Sequence, residues 1–314
     1  MNKHDLLKEQ QLKTGLKLYE KEVRILTGIG DAKFRQALVL QFIDSLRRNR
    51  YYTSIALRDI SNVRNEPSSE LFDPERAAVL NHRNGNSDEA FWLVFLSIHF
   101  GKNLRTKWRF VRDIYGKLGD GTFWDWKQTS ANPALFRQWL SANLTTLNGG
   151  DGVKRSFGNH RKYQSLHPYS ATGTGAAIES YVNWVNQFGS HDLLLQDAAT
   201  KTDGSPRAMF HYLYRSMDAV TSFGRTAKFD YLTMVGKLGL APIEPGSAYM
   251  DKATGPLTGA KLLFTGNPKA NLSCSELDAR LVQLEGYLVV GMQAMEDALC
   301  NWQKSPEEFK SFRG

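Results

Sequence analysis

The sequence predicts an all-α protein, and three observations support that fold class. Apolar residues recur at intervals of three and four along most of the chain, which is the spacing of a buried helix face. No useful length of sequence alternates apolar and polar residues as a half-buried strand does. The hydrophobic fraction of 41% and charged fraction of 23% are typical of a globular protein that builds a core.

The N-terminal part is predicted to be helical from about Asp5 to Arg50. After Gly28-Ile29-Gly30, apolar residues share one helix face: Phe34, Ala37, Leu38, Phe42 and Leu46. Further on, the apolar run from Ala90 to Phe100 predicts a buried helix preceded by the acidic first-turn pair Asp88 and Glu89. His99 within that run is interpreted as a core histidine.

The segment from Leu147 to Ser156, rich in glycine, is the best candidate for a flexible boundary. We therefore expect an N-terminal helical region over residues 1–150 and a second region over residues 151–314, together forming one compact two-lobed unit. Near the end of the chain, residues 275–305 carry a long apolar stripe and are predicted to form a single helix. The stripe consists of Leu277, Leu281, Leu284, Leu288, Met292, Met295 and Leu299.

The stretch from Met217 to Phe264 is the one around which the functional interpretation is organised. A helix end leads into the turn Ser222-Phe223-Gly224, and a second helix follows with Ala227, Tyr231 and Val235 at helical spacing. A loop rich in Gly and Pro then carries two acids, Glu244 and Asp251. This order is similar to that of the helix-hairpin-helix DNA glycosylases, whose hairpin amides hold a DNA phosphate. An ordinary helical hairpin explains the turn equally well, because Gly commonly ends helices.

A second candidate functional stretch follows the glycine-rich segment. Hydrogen-bond donors, a titratable ring and an aromatic side chain occupy five consecutive positions: Asn159, His160, Arg161, Lys162 and Tyr163. A recognition loop and a solvated loop remain equal alternatives on this chemistry alone. The following Thr172-Gly173-Thr174-Gly175 opens a helix but lacks the strand and the full glycine pattern of a nucleotide-binding fold.

The charge balance favours a polyanionic partner. Lys and Arg number 40 against 32 Asp and Glu, a formal net charge of +8. Cys274 and Cys300 lack metal-ligand spacing and are expected to be free thiols in a reducing compartment. We expect no metal and no cofactor. The polar first residues are unlike a signal peptide, and the run from Ala90 to Phe100 is too short to span a bilayer. We expect a cytoplasmic or nucleoid-associated protein with no membrane contact.

Several segments together resemble one family, the alpha-glutamyl/putrescinyl thymine pyrophosphorylases. They are QFIDSLRRNRYY, DEAFWLVFLSIHFGK, FGNHRKYQS, GTGAAIESYVNWV, FGRTAKFDYLTMVGKLGLA and GMQAMEDALCNWQKSP. The resemblance covers about residues 30–310 and implies a helical architecture like that of the DNA glycosylase superfamily. It also implies a role with hypermodified bases of phage DNA. The chain is similar to a related anti-phage DNA glycosylase, which excises glucosylated hydroxymethylcytosine from viral DNA.

The resemblance also implies roles for particular residues. Thr226 stands where glycosylases with lyase activity carry a Schiff-base lysine, so the chain is similar to the monofunctional, water-using members. The catalytic acid maps to Asp251, 25 residues beyond Thr226, or to Glu244, which lies closer to the usual spacing. The DNA-binding hairpin comprises Phe223, Gly224, Arg225, Thr226 and Lys228, and the base pocket comprises Asn159, His160, Arg161, Lys162 and Tyr163. Asp230 is interpreted as a structural acid.

Three functional hypotheses follow from the sequence. The first is a glycosylase that removes a modified pyrimidine from double-stranded phage DNA and leaves an abasic site. The second is a transferase that attaches an amine or amino acid to an activated hydroxymethyl pyrimidine in DNA. The third is a DNA-binding module without catalysis.

Overall fold

A computed structural model describes residues 3–311 and confirms the all-α prediction. Within that range the chain forms fourteen α-helices and no β-strand; the only β-type pairing is a single bridge between Asn103 and Lys107. The chain divides into two compact units, one built from residues up to Tyr51 and from Pro245 onward, the other from Tyr52 to Glu244. The predicted boundary near residue 150 lies inside the second of these units.

The first unit is built on the two N-terminal helices, of which α2 contributes its residues up to Tyr51, and three C-terminal helices. These are α1 (Lys3–Glu22), α2 (Ala32–Leu57), α12 (Gly255–Thr265), α13 (Cys274–Leu288) and α14 (Met292–Trp302). The apolar faces of α1 and α13 pack together, with Leu12, Leu16 and Tyr19 fully buried on the first. Every residue of the predicted C-terminal stripe is buried in this core.

The prediction of one helix over residues 275–305 is wrong, because the helix breaks at Val289 to Gly291. Val289 has φ +47° and Gly291 has φ +80°, so the backbone turns left-handed between α13 and α14. A positive φ is uncommon for a β-branched residue, and periodicity gives no warning of it. The apolar stripe continues on both sides of the break, which is why the sequence pattern is that of a single helix.

The second unit contains the remaining nine helices of the described chain. These are α3 (Pro74–Arg83), α4 (Ser87–Phe100), α5 (Arg109–Tyr115), α6 (Trp126–Ala131), α7 (Pro133–Ala142), α8 (Thr174–Asn186), α9 (His191–Lys201), α10 (Pro206–Ser216) and α11 (Arg225–Lys237). Helix α4 is the centre of this unit, since every residue from Ala90 to Phe100 is buried, as predicted. Leu147–Ser156 is fixed to the unit by Arg155, whose guanidinium bonds Asp113 at 2.6 Å and Asp151 at 2.8 Å.

No helix between residues 3 and 311 has both the length and the apolar character needed to cross a lipid bilayer. The helices instead bury their apolar faces against one another within each unit.

Candidate functional site

The predicted succession of a helix, the turn Ser222-Phe223-Gly224 and a second helix is present in the second unit. Helix α10 ends at Ser216, a short 3₁₀ turn follows, and α11 begins at Arg225. Ser222 occupies the turn with φ +60°, the left-handed conformation that a glycine adopts most easily. Its hydroxyl donates a hydrogen bond of 2.6 Å to the carbonyl oxygen of Thr172. That bond holds the serine in a conformation that costs a residue with a side chain some free energy.

The outer side of the turn is open to an approaching ligand. Gly224 is the N-cap residue of α11 and has no side chain to cap the helix, and a Cβ placed on it would touch nothing within 4 Å. Gly224 and Thr226 are both exposed. The first N–H groups of a helix lack intrahelical acceptors and carry partial positive charge, so this end of α11 suits an anion.

The other three hairpin residues are buried. Phe223 is 4% exposed and stacks on Phe95 and His99 of α4, with ring centroids 4.9 Å and 6.3 Å apart. Lys228 pairs with Asp218 and lies over the ring of Tyr214 at 4.2 Å. The Arg225 guanidinium lies 4.8 Å from the Phe229 ring centroid. These contacts fix the shape of the turn. A phosphate that binds Arg225 or Lys228 therefore binds a side chain that already contacts a neighbouring residue.

The Asn159–Tyr163 loop combines one buried anchor with four exposed side chains. The Arg161 Nε donates to the carbonyl oxygen of Ile98 at 2.8 Å, and its Nη2 donates to Asp230 at 2.9 Å. The exposed side chains are those of Asn159, His160, Lys162 and Tyr163. Tyr163 is 90% exposed, and the Lys162 ammonium lies 5.0 Å from its ring centroid. An exposed ring beside a cation is the type of group on which nucleic-acid bases stack.

The structure brings the two predicted functional stretches together at the carboxyl end of α4. Gln164 donates to the carbonyl oxygen of Ser222 at 3.5 Å, and Arg161 joins α4 to α11 through Ile98 and Asp230. Gly158 lies so close to Gly101 that a Cβ on it would fall 2.8 Å from a backbone atom. We call this region the α4-end site: residues 98–102, 158–164 and 221–230.

The Thr172–Gly175 segment has a packing explanation. A Cβ on Gly173 would lie 2.2 Å from the His167 carbonyl oxygen, and one on Gly175 would lie 1.9 Å from that of Pro168. Thr174 is buried and its hydroxyl bonds His99 Nε2 at 3.0 Å, which confirms His99 as a core histidine. Burial and the nearby Arg161 charge lower the pKa of His99 to about 3, so the ring is neutral.

The three acids considered from the sequence lie in different surroundings. Asp251 is exposed in a turn of the first unit. Glu244 lies in the second unit, where its carboxylate is 59% exposed and accepts a 2.9 Å bond from Arg207. Asp230 lies within the α4-end site, 40% exposed and paired with Arg161. Its ion pair accords with the structural role expected from the sequence.

Two buried glutamates were not recognised from the sequence. Glu89 in α4 accepts hydrogen bonds from the Trp126 backbone N–H at 2.6 Å and the Tyr115 hydroxyl at 2.7 Å. Burial nevertheless raises its pKa to about 7. Glu75, in the first turn of α3, is 6% exposed, and burial with the nearby Asp73 charge raises its pKa to about 7. The sequence suggests only a helix start at Asp73-Pro74, where acids are common.

A chain of hydrogen bonds runs through the core of the second unit. His191 Nδ1 lies 2.6 Å from Asp88, His191 Nε2 lies 2.7 Å from the Tyr181 hydroxyl, and the hydroxyls of Tyr181 and Tyr231 are 2.8 Å apart. Burial lowers the pKa of His191 despite the attraction of Asp88, so the ring is neutral and Nε2 accepts. The chain fixes α4, α8, α9 and α11 relative to one another behind the hairpin.

Fold and site together define an all-helical protein with a hairpin and a polar, aromatic-bearing loop at one helix end. Comparison with family models shows that the chain belongs to the alpha-glutamyl/putrescinyl thymine pyrophosphorylase family, clade 3, matched over residues 33–314. The matched range contains the whole α4-end site. No curated protein and no solved structure matches the chain.

Proposed function

We propose that the protein is a monofunctional DNA glycosylase, which removes a modified pyrimidine from double-stranded phage DNA and leaves an abasic site. The modification we favour is a glucosylated hydroxymethyl group, and the role is defence against phage. The observation that carries the proposal is the joining of the Asn159–Tyr163 loop and the adjacent Gln164 to the hairpin, by the bonds of Arg161 to Asp230 and of Gln164 to Ser222. Membership of a thymine pyrophosphorylase family supports chemistry on modified bases.

In this proposal the α4-end site binds a distorted DNA strand. The open N-terminus of α11 at Gly224 and Thr226 holds a backbone phosphate. Tyr163 stacks on a base, and the donors of Asn159, His160 and Lys162 contact the displaced nucleotide or its sugar. Taking a base out of the stack costs a few kcal/mol, so both a phosphate anchor and a stacking group are needed. A base enlarged by a sugar needs more donors than an ordinary base.

The absence of a lyase nucleophile supports the use of water. Thr226 occupies the position of the Schiff-base lysine, and the nearest lysine, Lys228, is 6% exposed and paired with Asp218. The Lys228 side chain is buried and held by Asp218, so it is not placed to attack a sugar carbon. Water therefore completes the reaction.

An ionised carboxylate is needed where positive charge develops on the sugar. We assign this role to Asp251 and keep Glu244 as the competing assignment. Asp251→Asn is expected to lower base release by roughly a hundredfold or more, because the carboxylate acts only as charge develops. Folding and DNA affinity are expected to change little, since the side chain is exposed. The single-turnover rates of base release by Asp251→Asn and Glu244→Gln decide between the two acids. If both variants release the base at the wild-type rate, neither acid has this role.

A transferase is the second candidate function, and the family's name favours it because it describes a pyrophosphorylase. In that reaction an amine or amino acid displaces pyrophosphate from an activated hydroxymethyl pyrimidine. Such an enzyme leaves the glycosidic bond intact and requires both the activated base and the nucleophile.

Mass spectrometry of a duplex oligonucleotide distinguishes the candidates. One duplex carries a single glucosylated 5-hydroxymethylcytosine, and its matched control carries cytosine. Base release replaces the modified base by a hydroxyl group and lowers the strand mass without any added co-substrate, only on the modified duplex. The transferase is identified by a mass change that appears only when the duplex carries a pyrophosphorylated base and an amine is added. An unchanged mass under both conditions leaves a DNA-binding protein and contradicts the proposal.

A further inference from the structure

A tight basic loop follows α4 directly and carries an exposed leucine. The loop comprises residues 101–108, and we call it the Leu104 loop. Leu104 is 57% exposed. Single exposed leucines are common on protein surfaces, so exposure alone assigns no function. This leucine is distinguished by the rigidity of its loop, by the charges beside it and by its position next to the α4-end site.

Asn103 holds the tip of the loop in one conformation. Its backbone exchanges two hydrogen bonds with that of Lys107, of 3.1 and 2.9 Å, which closes the loop around its tip. Its side-chain oxygen accepts from the backbone N–H groups of Arg105 and Thr106, at 2.9 and 3.1 Å. Lys107 has φ +53°, the left-handed conformation that closes short loops of this length. Leu104 therefore extends from a rigid tip, so little conformational freedom is lost when it binds a partner.

Three cations lie in the loop with Leu104, and no acid does. Lys102, Arg105 and Lys107 are exposed and form no ion pair with any residue that the structure describes. Exposed cations of this kind bind a polyanion, because each phosphate contact releases condensed counterions. An apolar side chain among cations fits a partner with anionic groups outside and apolar surface within. Duplex DNA has this arrangement, with stacked bases between two phosphate backbones.

The Leu104 loop is bonded to the segment that leads into the proposed base pocket. Asn103 Nδ2 donates to the carbonyl oxygen of Phe157 at 3.1 Å. The Gly158 N–H donates to the carbonyl oxygen of Phe100 at 2.7 Å. Gly158 directly precedes the Asn159–Tyr163 loop, which carries the exposed aromatic ring described above. An exposed leucine and an exposed stacking ring therefore extend from adjacent loops at the carboxyl end of α4.

We propose that this loop inserts Leu104 between stacked base pairs of duplex DNA and kinks the duplex, while the three cations of the loop bind the phosphates beside it. The inference rests on the DNA partner of the function proposed above. Leucine is among the apolar side chains that enter base steps, where they partly unstack the bases and bend the duplex by about 20–90°. Unstacking at this step favours displacement of the neighbouring nucleotide toward the Asn159–Tyr163 loop. Leu104 is thus a positioning residue that takes no part in bond breaking.

An anionic membrane is the other surface that attracts an apolar residue among cations. Insertion into lipid scales with the apolar area that is buried, and helices that bind in this way present a whole apolar face. The Leu104 loop presents one leucine between polar side chains. Duplex DNA is the better fit, since one side chain is enough to enter one base step.

Förster resonance energy transfer between dyes at the two ends of a duplex measures the kink. The central nucleotide carries glucosylated 5-hydroxymethylcytosine and a 2′-fluorine, which opposes positive charge on the sugar and so keeps the base attached. Protein is saturating for every variant, so that weaker binding does not imitate a smaller kink. We expect wild type to raise the transfer efficiency and Leu104→Ala to lose most of that rise. Leu104→Met, which keeps an apolar side chain of similar length, is expected to retain it.

Fluorescence anisotropy on the same duplex separates the leucine from the cations. Leu104→Ala is expected to weaken binding by roughly tenfold, or about 1.4 kcal/mol. Arg105→Ala is expected to weaken binding by the same factor with or without the modified base, to flatten the salt dependence by about one, and to keep the kink at saturation. Leu193→Ala is the matched control, because Leu193 is a 48% exposed leucine of α9. It is expected to change neither affinity nor kink.

The outcomes separate this inference from the glycosylase function. A straight duplex in the wild-type complex, or a wild-type kink with Leu104→Ala, overturns the inference even where the unfluorinated duplex loses its base. A kink that depends on Leu104, without base release from the unfluorinated duplex, supports the inference and overturns the glycosylase function. Failure of the wild type to bind duplex DNA overturns both.

Two further arms complete the test. Binding to vesicles of phosphatidylglycerol and phosphatidylcholine that is lost in Leu104→Ala, with no kink in DNA, identifies a membrane surface and overturns the inference. Should Leu104→Ala fail to fold by circular dichroism, Leu104→Gln replaces it. Glutamine keeps the length of the side chain but not its apolar character, so loss of the kink supports the inference and a wild-type kink contradicts it.

Discussion

At the scale of single residues, the buried polar groups of the second unit differ in how fully they are paired. Glu89 has two donors, and the Asp88–His191–Tyr181–Tyr231 chain satisfies each of its buried members. His99 bonds Thr174 through Nε2, whereas its buried Nδ1 has no partner among the described residues. Fully paired groups stabilise one particular packing of the core.

Glu89 makes stability dependent on pH in a defined direction. Its pKa rises from 4.5 in the unfolded chain to about 7 in the folded protein, so the folded state binds more protons between these values. The free energy of unfolding contributed by Glu89 is therefore fully present below pH 4.5 and falls as pH rises to about 7. The loss amounts to at most roughly 3.5 kcal/mol, at about 1.4 kcal/mol per pKa unit.

Urea unfolding at pH 5, 6, 7 and 8 measures this effect in wild type and Glu89→Gln. The glutamine oxygen accepts from the Trp126 N–H and its amide donates to the Tyr115 oxygen, as the protonated acid does. We expect the free energy of unfolding of Glu89→Gln to increase relative to that of wild type as pH rises from 5 to 7. A constant difference across this range would contradict the raised pKa.

Tyr181→Phe tests the hydrogen-bond chain. The substitution leaves the His191 Nε2 acceptor and the Tyr231 hydroxyl without their common partner inside the core. We expect the free energy of unfolding to fall by about 1–3 kcal/mol. Tyr212→Phe is the matched control, because the Tyr212 hydroxyl bonds Asp197 at a partly exposed position, and it is expected to cost about 1 kcal/mol or less. Equal losses in the free energy of unfolding for both variants would show that the buried hydrogen bonds of Tyr181 stabilise the fold no more than the partly exposed bond of Tyr212.

At the scale of elements, the carboxyl end of α4 organises the site. The hairpin turn stacks on it through Phe223, and the Asn159–Tyr163 loop is bonded to it through Arg161. The sequence predicted each of these elements from spacing and residue type. It did not predict that they meet, because the joining contacts link positions 58 to 69 residues apart.

Thr226→Glu tests the hairpin as a phosphate-binding element. A negative charge in the first turn of α11 stabilises the helix dipole by about 0.3–1 kcal/mol, so folding stability is expected to rise slightly. The same charge repels a phosphate at Gly224, so DNA affinity is expected to fall about equally on all sequences. Gln196→Glu, the same charge change at an exposed position of α9, is the control. Fluorescence anisotropy measures the DNA affinity of both variants. Equal affinities would show that the hairpin does not contact DNA.

At the scale of the whole molecule, helical periodicity was sufficient to predict the fold class, the buried α4 and the second helix of the hairpin. Positions set by backbone conformation or by distant contacts could not be predicted. The break at Val289 interrupts no apolar stripe. Glu75 is only 6% exposed, although an acid in a helix's first turn is typical of the surface, so its burial has no local signal.

Hydrogen–deuterium exchange across the whole chain tests the location of the DNA surface most directly. The protein is compared alone and with a saturating duplex that carries glucosylated 5-hydroxymethylcytosine. We predict slower exchange in peptides covering residues 159–175 and 221–230, and unchanged exchange in α1, all of which lies outside the family match. Unchanged exchange in both predicted segments, with protection elsewhere, would contradict the assignment of the α4-end site.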